Sequence, residues 1–525
     1  MGAGALLLVV GGVSSYALWQ PRFNPIGMLS SQPHAKTVKI LVAEFEGPDP
    51  QTYRVTDTIL ESLKIATQPY TDVEVVPLGK AITQREGAAA AKALGKVQNA
   101  DIVIWGWYSK TPSAVPMSVH FEMLSEAQDF LPLAKQAQGE IRRLPVDSLE
   151  RFEMQINLGQ EISYLSLVTL GVARYAIDDW DGTIQRLTAA LAIVPATQPF
   201  IDPIVVYFYR GVAYRQKGKL DQAIADFNQA LKLNPKDTNT YNNRGVTHGQ
   251  KGELDREIAD YTQALKLNPK DANTYYNRGT AYRNKGELDR AITDFNQALK
   301  LNPKDTDAYN NRGNAYRYKG ELDRAITDYT QALKLNPKIA NTYYNRGAAY
   351  RNKGELDRAI ADFNQALKLN PKNSNIYNNR GSAYSDKGEL DQAIADYNQA
   401  LEFNPRDADI YYNRGVVYGQ KGELDQEIAD FNQVLKLNPK DSNTYNKRGN
   451  AYRNKGELDR AIADFNQALK LNPKNAGAYN NRGVTYGQKR DKQKAVADFR
   501  QAIKLTNNPQ IKQLAEENLR VLGDR

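Results

Sequence analysis

A single 34-residue period governs most of this sequence. The dipeptide Asn-Pro recurs at that interval, with its proline at positions 235, 269, 303, 337, 371, 405, 439 and 473. Long stretches are copied unchanged, as in GELDRAIADFNQALKLNPKN at 354–373 and again at 456–475. A catalytic site is rarely needed in many copies, whereas a structural unit that cannot bury its own apolar face requires neighbours of the same kind. The period therefore predicts an array of stacked units.

Each unit is predicted to form a pair of helices. In 272–305 the first helix begins at Ala272 and ends at Gly286, since glycine adopts the left-handed conformation that closes a helix. Asp289 is expected to cap the second helix, and Pro303 ends it because proline cannot continue a helix. One apolar stripe at helical spacing predicts the buried face of the second helix. It consists of Ala291, Ile292, Phe295, Ala298 and Leu299.

The array resembles the tetratricopeptide repeat family, of bacterial, cyanobacterium-like type. That family has a large residue at position 4, Gly or Ala at 8, an aromatic at 11, Ala at 20, an aromatic at 24, Ala at 27 and Pro at 32. In 272–305 these places hold Tyr275, Gly279, Tyr282, Ala291, Phe295, Ala298 and Pro303. The resemblance implies a mostly α-helical fold, a right-handed α-solenoid of about ten helix-turn-helix units. A degenerate unit at 164–197 precedes nine regular ones at 204–509, called repeat 1 (204–237) to repeat 9 (476–509).

The same resemblance implies a concave groove, lined by the first helices, that binds a peptide segment or a partner protein. Positions 2, 5, 6, 9, 12 and 13 of each repeat would face it. Asparagine both donates and accepts hydrogen bonds, which suits the backbone of an extended peptide, and Arg and Tyr commonly anchor interfaces. The predicted peptide-binding residues are Asn243, Asn277, Asn311, Asn345, Asn379, Asn413 and Asn481 at position 6, Arg283, Arg317, Arg351 and Arg453 at position 12, and Tyr276, Tyr344 and Tyr412 at position 5. The alternative is that these polar side chains only keep an inner helix face hydrated.

Positions 2 and 6 narrow the class of partner. The carboxylate clamp of chaperone-binding relatives requires Lys or Arg at both positions. Position 2 is Asn, Asp or Gly from Asn239 onward, and Lys447 is the one residue that interrupts the asparagine series at position 6 from repeat 2 onward. An acceptor for chaperone tails is therefore not expected.

Two positions are unusual for the family in every repeat. Position 7 is arginine and position 23 is aspartate in all nine repeats, from Arg210 and Asp226 to Arg482 and Asp498. We expect a ladder of Arg–Asp pairs between helices, with a structural role, because removal of one buried partner strands the other charge.

Two repeats differ from the others at position 20. Glu257 and Glu427 replace the usual alanine, and both repeats have glycine at position 12, Gly249 and Gly419. A local repacking is expected there, and no function is assigned to it.

Residues 38–145 are predicted to form a small α/β domain. Strand patterns at 38–47, 73–79, 100–109 and 115–124 alternate with helical patterns at 56–68 and 85–100. This order resembles the N-terminal α/β domain of TolB-like and FlgO/CsgG-like bacterial envelope proteins. The resemblance implies an assembly and interaction module.

The N-terminal segment predicts the localisation. Residues 2–19 carry no charge, and about 20 apolar residues span a bilayer. Segment 1–22 is therefore predicted to be a transmembrane anchor, preceded by no Lys or Arg, with a cleaved secretory signal as the alternative. The chain would be membrane-anchored through this hydrophobic helix, with the side of the membrane open, and secreted or periplasmic if the segment is cleaved.

The composition argues against several function classes. There is no cysteine, and the three histidines lie far apart without metal-ligand spacing. A net charge of +9 is typical of proteins that bind a polyanionic partner. Acidic and basic residues interleave within every repeat, however, so a nucleic-acid partner is not expected. No nucleotide-binding or catalytic motif occurs. We therefore predict no enzyme activity, no cofactor, no metal and no small-molecule substrate.

The predicted domain organisation has five segments. They are the anchor or signal at 1–22, the α/β domain at 38–145, a helical linker with the degenerate unit at 146–203, the nine repeats at 204–509 and a capping helix at 510–525. The predicted function is a protein–protein interaction scaffold at a membrane. The alternative is a periplasmic or envelope assembly factor that uses the α/β domain as a second binding module.

Overall fold

The structure is a computed structural model of the chain. It describes residues 38–68, 73–100, 102–109, 114–123, 142–145, 163–194 with the exception of 165, 166, 169, 173, 176 and 177, and 202–523. The chain divides into two compact bodies, body 1 up to Leu301 and body 2 from Asn302 onward.

Body 1 begins with the α/β domain, built on a five-stranded sheet of order β2-β1-β3-β4-β5. Strands β1, β2 and β3 are parallel, whereas β4 and β5 are antiparallel to their neighbours. The strands are β1 Val38–Glu44, β2 Val73–Ala81, β3 Ile102–Tyr108, β4 Ala114–Met123 and β5 Arg142–Pro145, and the helices are α1 Pro50–Tyr53, α2 Val55–Thr67 and α3 Gly87–Val97. The predicted sheet is present, and β5 is a strand that the sequence pattern did not indicate.

The central strands of this sheet are buried because helices cover them. Leu41 of β1 and Val103 of β3 are fully buried, in one cluster with Ala91 of α3 and Ile82. Continuous burial from Ile40 to Ala43 and from Ile102 to Trp105 explains the apolar runs at the centres of β1 and β3, as in parallel strands between helices.

The helices of body 1 that follow are 13 or 14 residues long. They are α4 Trp180–Ala192, α5 Pro203–Gln216, α6 Leu220–Leu233, α7 Thr238–Gln250, α8 Leu254–Leu267, α9 Ala272–Asn284 and α10 Leu288–Leu301. The described residues between 163 and 175 are helical as well. Repeats 1 and 2 each form the predicted helix pair, and body 1 ends with the second helix of repeat 3.

Body 2 continues the pairs of helices. They are α11 Thr306–Tyr318, α12 Leu322–Leu335, α13 Ala340–Asn352, α14 Leu356–Leu369, α15 Ser374–Lys387, α16 Leu390–Phe403, α17 Ala408–Lys421, α18 Leu424–Leu437, α19 Ser442–Asn454, α20 Leu458–Leu471, α21 Ala476–Gln488, α22 Lys492–Leu505 and α23 Pro509–Val521. The last helix, α23, buries Ala515 against Phe499 of repeat 9. A helix was predicted in that place.

The predicted helix ends are mostly confirmed. Gly286 has φ of 83°, the left-handed conformation expected after a first helix. Eight of the nine first helices begin at an aspartate or asparagine cap, and repeat 5, with Ile339, is the exception. Asp271, for example, accepts a hydrogen bond from the backbone of Asn273. The prediction for Asp289 is wrong, because the second helix starts at Leu288 and Asp289 lies inside its first turn. A carboxylate there still interacts favourably with the helix dipole.

Close approach of the two helices in each repeat requires glycine at position 8. A Cβ atom on Gly313 would lie 2.8 Å from Cε1 of Tyr329, the buried aromatic residue at position 24. Ala325 and Ala332, at positions 20 and 27, are fully buried beside it. This small–large alternation is the packing that the repeat pattern predicted.

The predicted localisation at a membrane is wrong. Within the described part of the chain, no helix is both long and apolar enough to cross a bilayer. The repeat helices have 13 or 14 residues, fewer than the roughly 20 that a spanning helix needs. Segment 1–22, on which that prediction was based, lies outside the described residues.

Candidate functional site

The Arg–Asp ladder predicted from positions 7 and 23 is confirmed in all nine repeats. Each arginine donates two hydrogen bonds, from Nε and one terminal nitrogen, to the two carboxylate oxygens of the aspartate on the second helix of its repeat. All of these distances fall between 2.6 and 2.9 Å. The pairs are Arg210–Asp226, Arg244–Asp260, Arg278–Asp294, Arg312–Asp328, Arg346–Asp362, Arg380–Asp396, Arg414–Asp430, Arg448–Asp464 and Arg482–Asp498.

The ladder arginines also connect neighbouring repeats, a contact that was not predicted from the sequence. The remaining terminal nitrogen of Arg380 donates to Oδ1 of Asn364, at position 25 of the preceding repeat, at 2.6 Å. Arg278 makes the equivalent bond to the hydroxyl of Thr262 at 3.1 Å. Position 25 is Asn or Thr throughout repeats 1–8, and this recurrence was the available signal.

In most repeats two tyrosines of the first helix enclose the guanidinium, whereas repeat 2 has His248 in place of the second tyrosine. The guanidinium carbon of Arg278 lies 5.7 Å from the ring centre of Tyr275 and 5.8 Å from that of Tyr282. Burial raises the pKa of Asp294 above its usual range, although Arg278 acts in the opposite direction. Since each of the three guanidinium nitrogens of Arg278 already donates to a side chain of the protein, we assign the ladder a structural role.

In body 2 four of the five predicted asparagines at position 6 form a second series of contacts between repeats. The side-chain nitrogen of each donates to position 5 of the preceding repeat. The bonds are Asn345 to Asn310 Oδ1 at 3.3 Å, Asn379 to the Tyr344 hydroxyl at 3.1 Å, Asn413 to Asn378 Oδ1 at 3.1 Å and Asn481 to Asn446 Oδ1 at 3.1 Å. All four side chains are half-buried. The side-chain Oδ1 of each accepts no hydrogen bond from a described residue. Each amide is therefore held in a fixed orientation with one open acceptor.

The other three predicted asparagines are placed differently. Asn243 and Asn277 in body 1 are each only 3% exposed. Asn243 donates to the backbone oxygen of Asn239 at 2.9 Å, and Oδ1 of Asn277 is buried without a partner. Asn311 donates to the backbone oxygen of Asp307 at 2.9 Å. The open acceptors that the structure shows thus lie in repeats 5, 6, 7 and 9.

The predicted arginines at position 12 are also not equivalent. Nε of Arg351 donates to Asp386 at 2.6 Å, so that charge is neutralised. Arg317 stacks on Tyr318, with 4.9 Å between its guanidinium carbon and the ring centre. A terminal nitrogen of Arg283 donates a hydrogen bond to Oδ1 of Asn284 at 3.1 Å. Burial lowers the pKa of Arg453, and no described carboxylate pairs with it.

The tyrosines predicted at position 5 pack against the buried aromatic residues at position 24. The ring centres of Tyr344 and Phe363 are 6.0 Å apart, and those of Tyr412 and Phe431 are 5.8 Å apart. Tyr276 is 8% exposed and lies 5.9 Å from Phe295. Of the three, Tyr344 and Tyr412 are half-buried and so retain surface on the first helices.

Sequence comparison decides the family. Models described as TPR repeat or tetratricopeptide repeat match this chain over more than half its length, without a gap from 211 to 509. The matched segments are 211–252, 279–317, 313–354, 381–422 and 449–489, then 340–373, then 260–293, 363–395 and 431–463, and finally 238–271, 408–441 and 476–509. The chain belongs to the tetratricopeptide repeat family. This family typically provides non-enzymatic scaffolds for protein interaction, and no catalytic family is indicated.

Several solved structures are similar to this tetratricopeptide repeat protein. A tetratricopeptide repeat protein from Parabacteroides merdae is 25% identical over 47% of this chain and 98% of that chain, with a TM-score of 0.39. YrrB, described as a TPR protein with an unusual peptide-binding site, is 26% identical over 36% of this chain and 97% of its own, with a TM-score of 0.32. MamA is 32% identical over 33% of this chain and 93% of its own, with a TM-score of 0.31. No curated protein sequence matches the chain significantly.

Glutamate at the tetratricopeptide position 20 is accommodated by the missing side chain at position 12. A Cβ atom on Gly249 would lie 2.7 Å from the carboxylate carbon of Glu257, and one on Gly419 would lie 2.7 Å from that of Glu427. Each carboxylate thus occupies the volume of an absent side chain. This explains why the two substitutions occur together in repeats 2 and 7.

A cleft of about 460 Å³ lies where the parallel strands of the α/β domain end. It is lined by Glu46 and Gly47 after β1, Thr83, Gln84 and Arg85 after β2, and Trp107 and Tyr108 of β3. The strand order places β2 and β3 on opposite sides of β1. Open α/β sheets bind ligands at such a reversal of strand order.

Proposed function

We propose that this protein is a non-enzymatic scaffold that binds an extended peptide segment of a partner along the first helices of repeats 4–9. Family membership supports a protein-interaction role. The observation that carries the finer proposal is the series of asparagines that are anchored through nitrogen and open at oxygen, namely Asn345, Asn379, Asn413 and Asn481.

Anchoring the nitrogen gives these side chains a binding geometry. An asparagine whose amide is held by the preceding repeat cannot rotate freely, so little rotamer entropy is lost when its oxygen accepts a bond. Equivalent oxygens recur once per repeat. An extended peptide presents backbone N–H groups at regular intervals, and such groups are the natural donors to these acceptors.

Tyrosines and arginines would supply the side-chain contacts. Tyr344 and Tyr412 present partly exposed rings beside the asparagines, and Arg317 and Arg453 have no carboxylate partner among the described residues. Within the proposal, the repeats form a right-handed solenoid and these residues face its concave groove. The proposed domain limits remain 38–145, 146–203, 204–509 and 510–525.

Removal of the asparagine side chains tests the proposal. A peptide ligand is first selected from a random displayed library against the full chain, and its affinity is then measured by calorimetry. The variant combines Asn345→Ala, Asn379→Ala and Asn413→Ala. The matched control removes three exposed amides from second helices, through Gln365→Ala, Gln399→Ala and Gln433→Ala.

The two variants should show whether the asparagines bind the peptide or only keep the helix surface hydrated. At about 1 kcal/mol for each hydrogen bond, the asparagine variant should lose roughly 100-fold in affinity. The glutamine variant should bind as the parent does. If both variants keep the parent's affinity while circular dichroism shows them folded, the asparagines only hydrate the inner face and the proposal fails.

The second candidate function is an assembly factor whose α/β domain is a further binding module. The cleft between Glu46, Arg85 and Trp107 favours it, because it combines charged and aromatic side chains at the strand ends. The resemblance of this domain to TolB-like and FlgO/CsgG-like modules, and the bacterial type of the chain, are part of the same proposal. The substitution Trp107→Ala should then weaken the binding of the partner to the full chain, whereas the contacts of that partner with repeats 4–9 should be unaffected.

A further inference from the structure

Glu427 presents a carboxylate that the chain itself does not satisfy. Its side chain is half-buried above Gly419, on the second helix of repeat 7. No hydrogen bond or ion pair from a described residue reaches its oxygens. Polar groups that are taken partly out of water normally have partners, so an unpaired carboxylate in a well-packed repeat needs an explanation.

Repeat 2 contains a closed version of the same arrangement. Glu257 is 0% exposed, and its two oxygens are buried without a hydrogen-bond partner. Tyr261, at position 24, lies close enough to Glu257 to lower its pKa, against the stronger effect of burial. At the equivalent place repeat 7 has Phe431, which offers no hydroxyl. The open site therefore lacks the tyrosine hydroxyl that lies near the carboxylate of the closed site.

The open site is reachable from the first-helix surface. Gly419 is at position 12, the position that holds an arginine in repeats 1, 3, 4, 5 and 8, and it is partly exposed. Without a side chain there, nothing from position 12 covers the Glu427 carboxylate. The gap lies on the same first helix as Asn413 and Tyr412, two of the residues proposed to bind the peptide.

One cation of the chain influences Glu427 without pairing with it. Lys447, on the first helix of repeat 8, lowers the pKa of Glu427, while burial raises it more strongly, to about 7. Lys447 is exposed and forms no ion pair with a described residue. Its ammonium therefore leaves the carboxylate available to a second cation.

We propose that Glu427 and Gly419 form a socket for a basic group of the bound peptide, a lysine or arginine side chain. The inference rests on the proposed function, since the socket is taken to be part of the same peptide-binding surface. A guanidinium or ammonium entering over Gly419 would donate to both oxygens of Glu427 and remove the cost of a half-buried, unpaired charge.

The test compares peptide selection by three forms of the full chain. A library of random twelve-residue peptides is displayed against the parent, against Glu427→Ala and against Glu257→Ala. Both substitutions restore the alanine that the other seven repeats have at position 20, so both variants should fold. Glu257→Ala is the matched control, because its carboxylate is fully buried and cannot meet a peptide.

The socket predicts a basic residue at one fixed position in the peptides that the parent and Glu257→Ala select. That preference should disappear in peptides selected by Glu427→Ala, and replacing the basic residue by norleucine should weaken binding to the parent about 10-fold or more. Glu427→Gln should behave as the alanine variant does, since it keeps the size and removes the charge.

Different results separate the two proposals. If peptides are selected without a basic preference, or if the preference survives Glu427→Ala, the socket is wrong while the peptide-binding surface stands. If no form selects any peptide, the proposed function falls, and the socket falls with it.

Discussion

Arg380 and Asp396 join the two helices of repeat 6 through two parallel hydrogen bonds, from Nε at 2.7 Å and from a terminal nitrogen at 2.6 Å. The aspartate side chain is 7% exposed and the arginine 19%. The third bond of Arg380, to Asn364, extends the connection to repeat 5. The same three-way junction recurs within both bodies, as where Arg278 bonds Asp294 of its own repeat and Thr262 of repeat 2.

Removing one partner of this pair should be costly. Asp396→Ala leaves a half-buried guanidinium without its carboxylate, and we expect the free energy of unfolding in urea to fall by about 3 kcal/mol. The double variant with Arg380→Met should recover part of that loss, because no unpaired charge then remains. Arg358→Met removes an arginine that pairs with Glu355 but is 69% exposed, and it should change stability little. Equal losses of unfolding free energy for Asp396→Ala and Arg358→Met would show that a ladder pair stabilises the fold no more than an exposed ion pair does.

The Arg–Asp pairs were predictable because both residues keep the same spacing in every repeat. The bond to position 25 was not, since it depends on how far one repeat is displaced against the next. The degree of burial of the position-6 asparagines could not be predicted from the sequence either. Asn277 and Asn345 occupy the same position, yet one is buried and the other half-buried. Neighbouring side chains decide that difference, and the 34-residue pattern does not describe them.

Glu257 should make the stability of body 1 depend on pH. Burial raises its pKa from 4.5 to about 8. The folded state therefore keeps a proton that the unfolded state releases above pH 4.5, so the contribution of this group to stability falls as pH rises from about 4.5 to 8. A difference of that size is worth up to about 5 kcal/mol. Relative to the parent, Glu257→Ala should gain stability steadily over that interval, as measured by urea unfolding at several pH values. A gain that is the same at pH 5 and pH 8 would contradict the raised pKa.

The glycine at position 12 should be required only where glutamate lies above it. Gly419→Ala places a Cβ atom 2.7 Å from the carboxylate carbon of Glu427, and this overpacking should cost about 1 kcal/mol because the carboxylate ends a flexible side chain that can move. Gly487 occupies the same position in repeat 9 with no atom within 4 Å of a built Cβ. Gly487→Ala should therefore be neutral or stabilise the helix by up to about 1 kcal/mol.

A second variant completes this comparison. Gly419→Ala combined with Glu427→Ala should regain the parent's thermal unfolding temperature, because the carboxylate that causes the clash is gone. If the double variant is as unstable as Gly419→Ala alone, the two residues are not coupled, and their joint occurrence in repeats 2 and 7 has another cause.

The central claim, that anchored asparagines hold an extended peptide, is tested most directly by a crystal structure of the full chain with a selected peptide. We expect the peptide along the first helices of repeats 5–7, with its backbone nitrogens about 3 Å from Oδ1 of at least two of Asn345, Asn379 and Asn413. A peptide bound on the second helices, in the cleft of the α/β domain, or on the first helices with no asparagine within hydrogen-bond distance would contradict the claim.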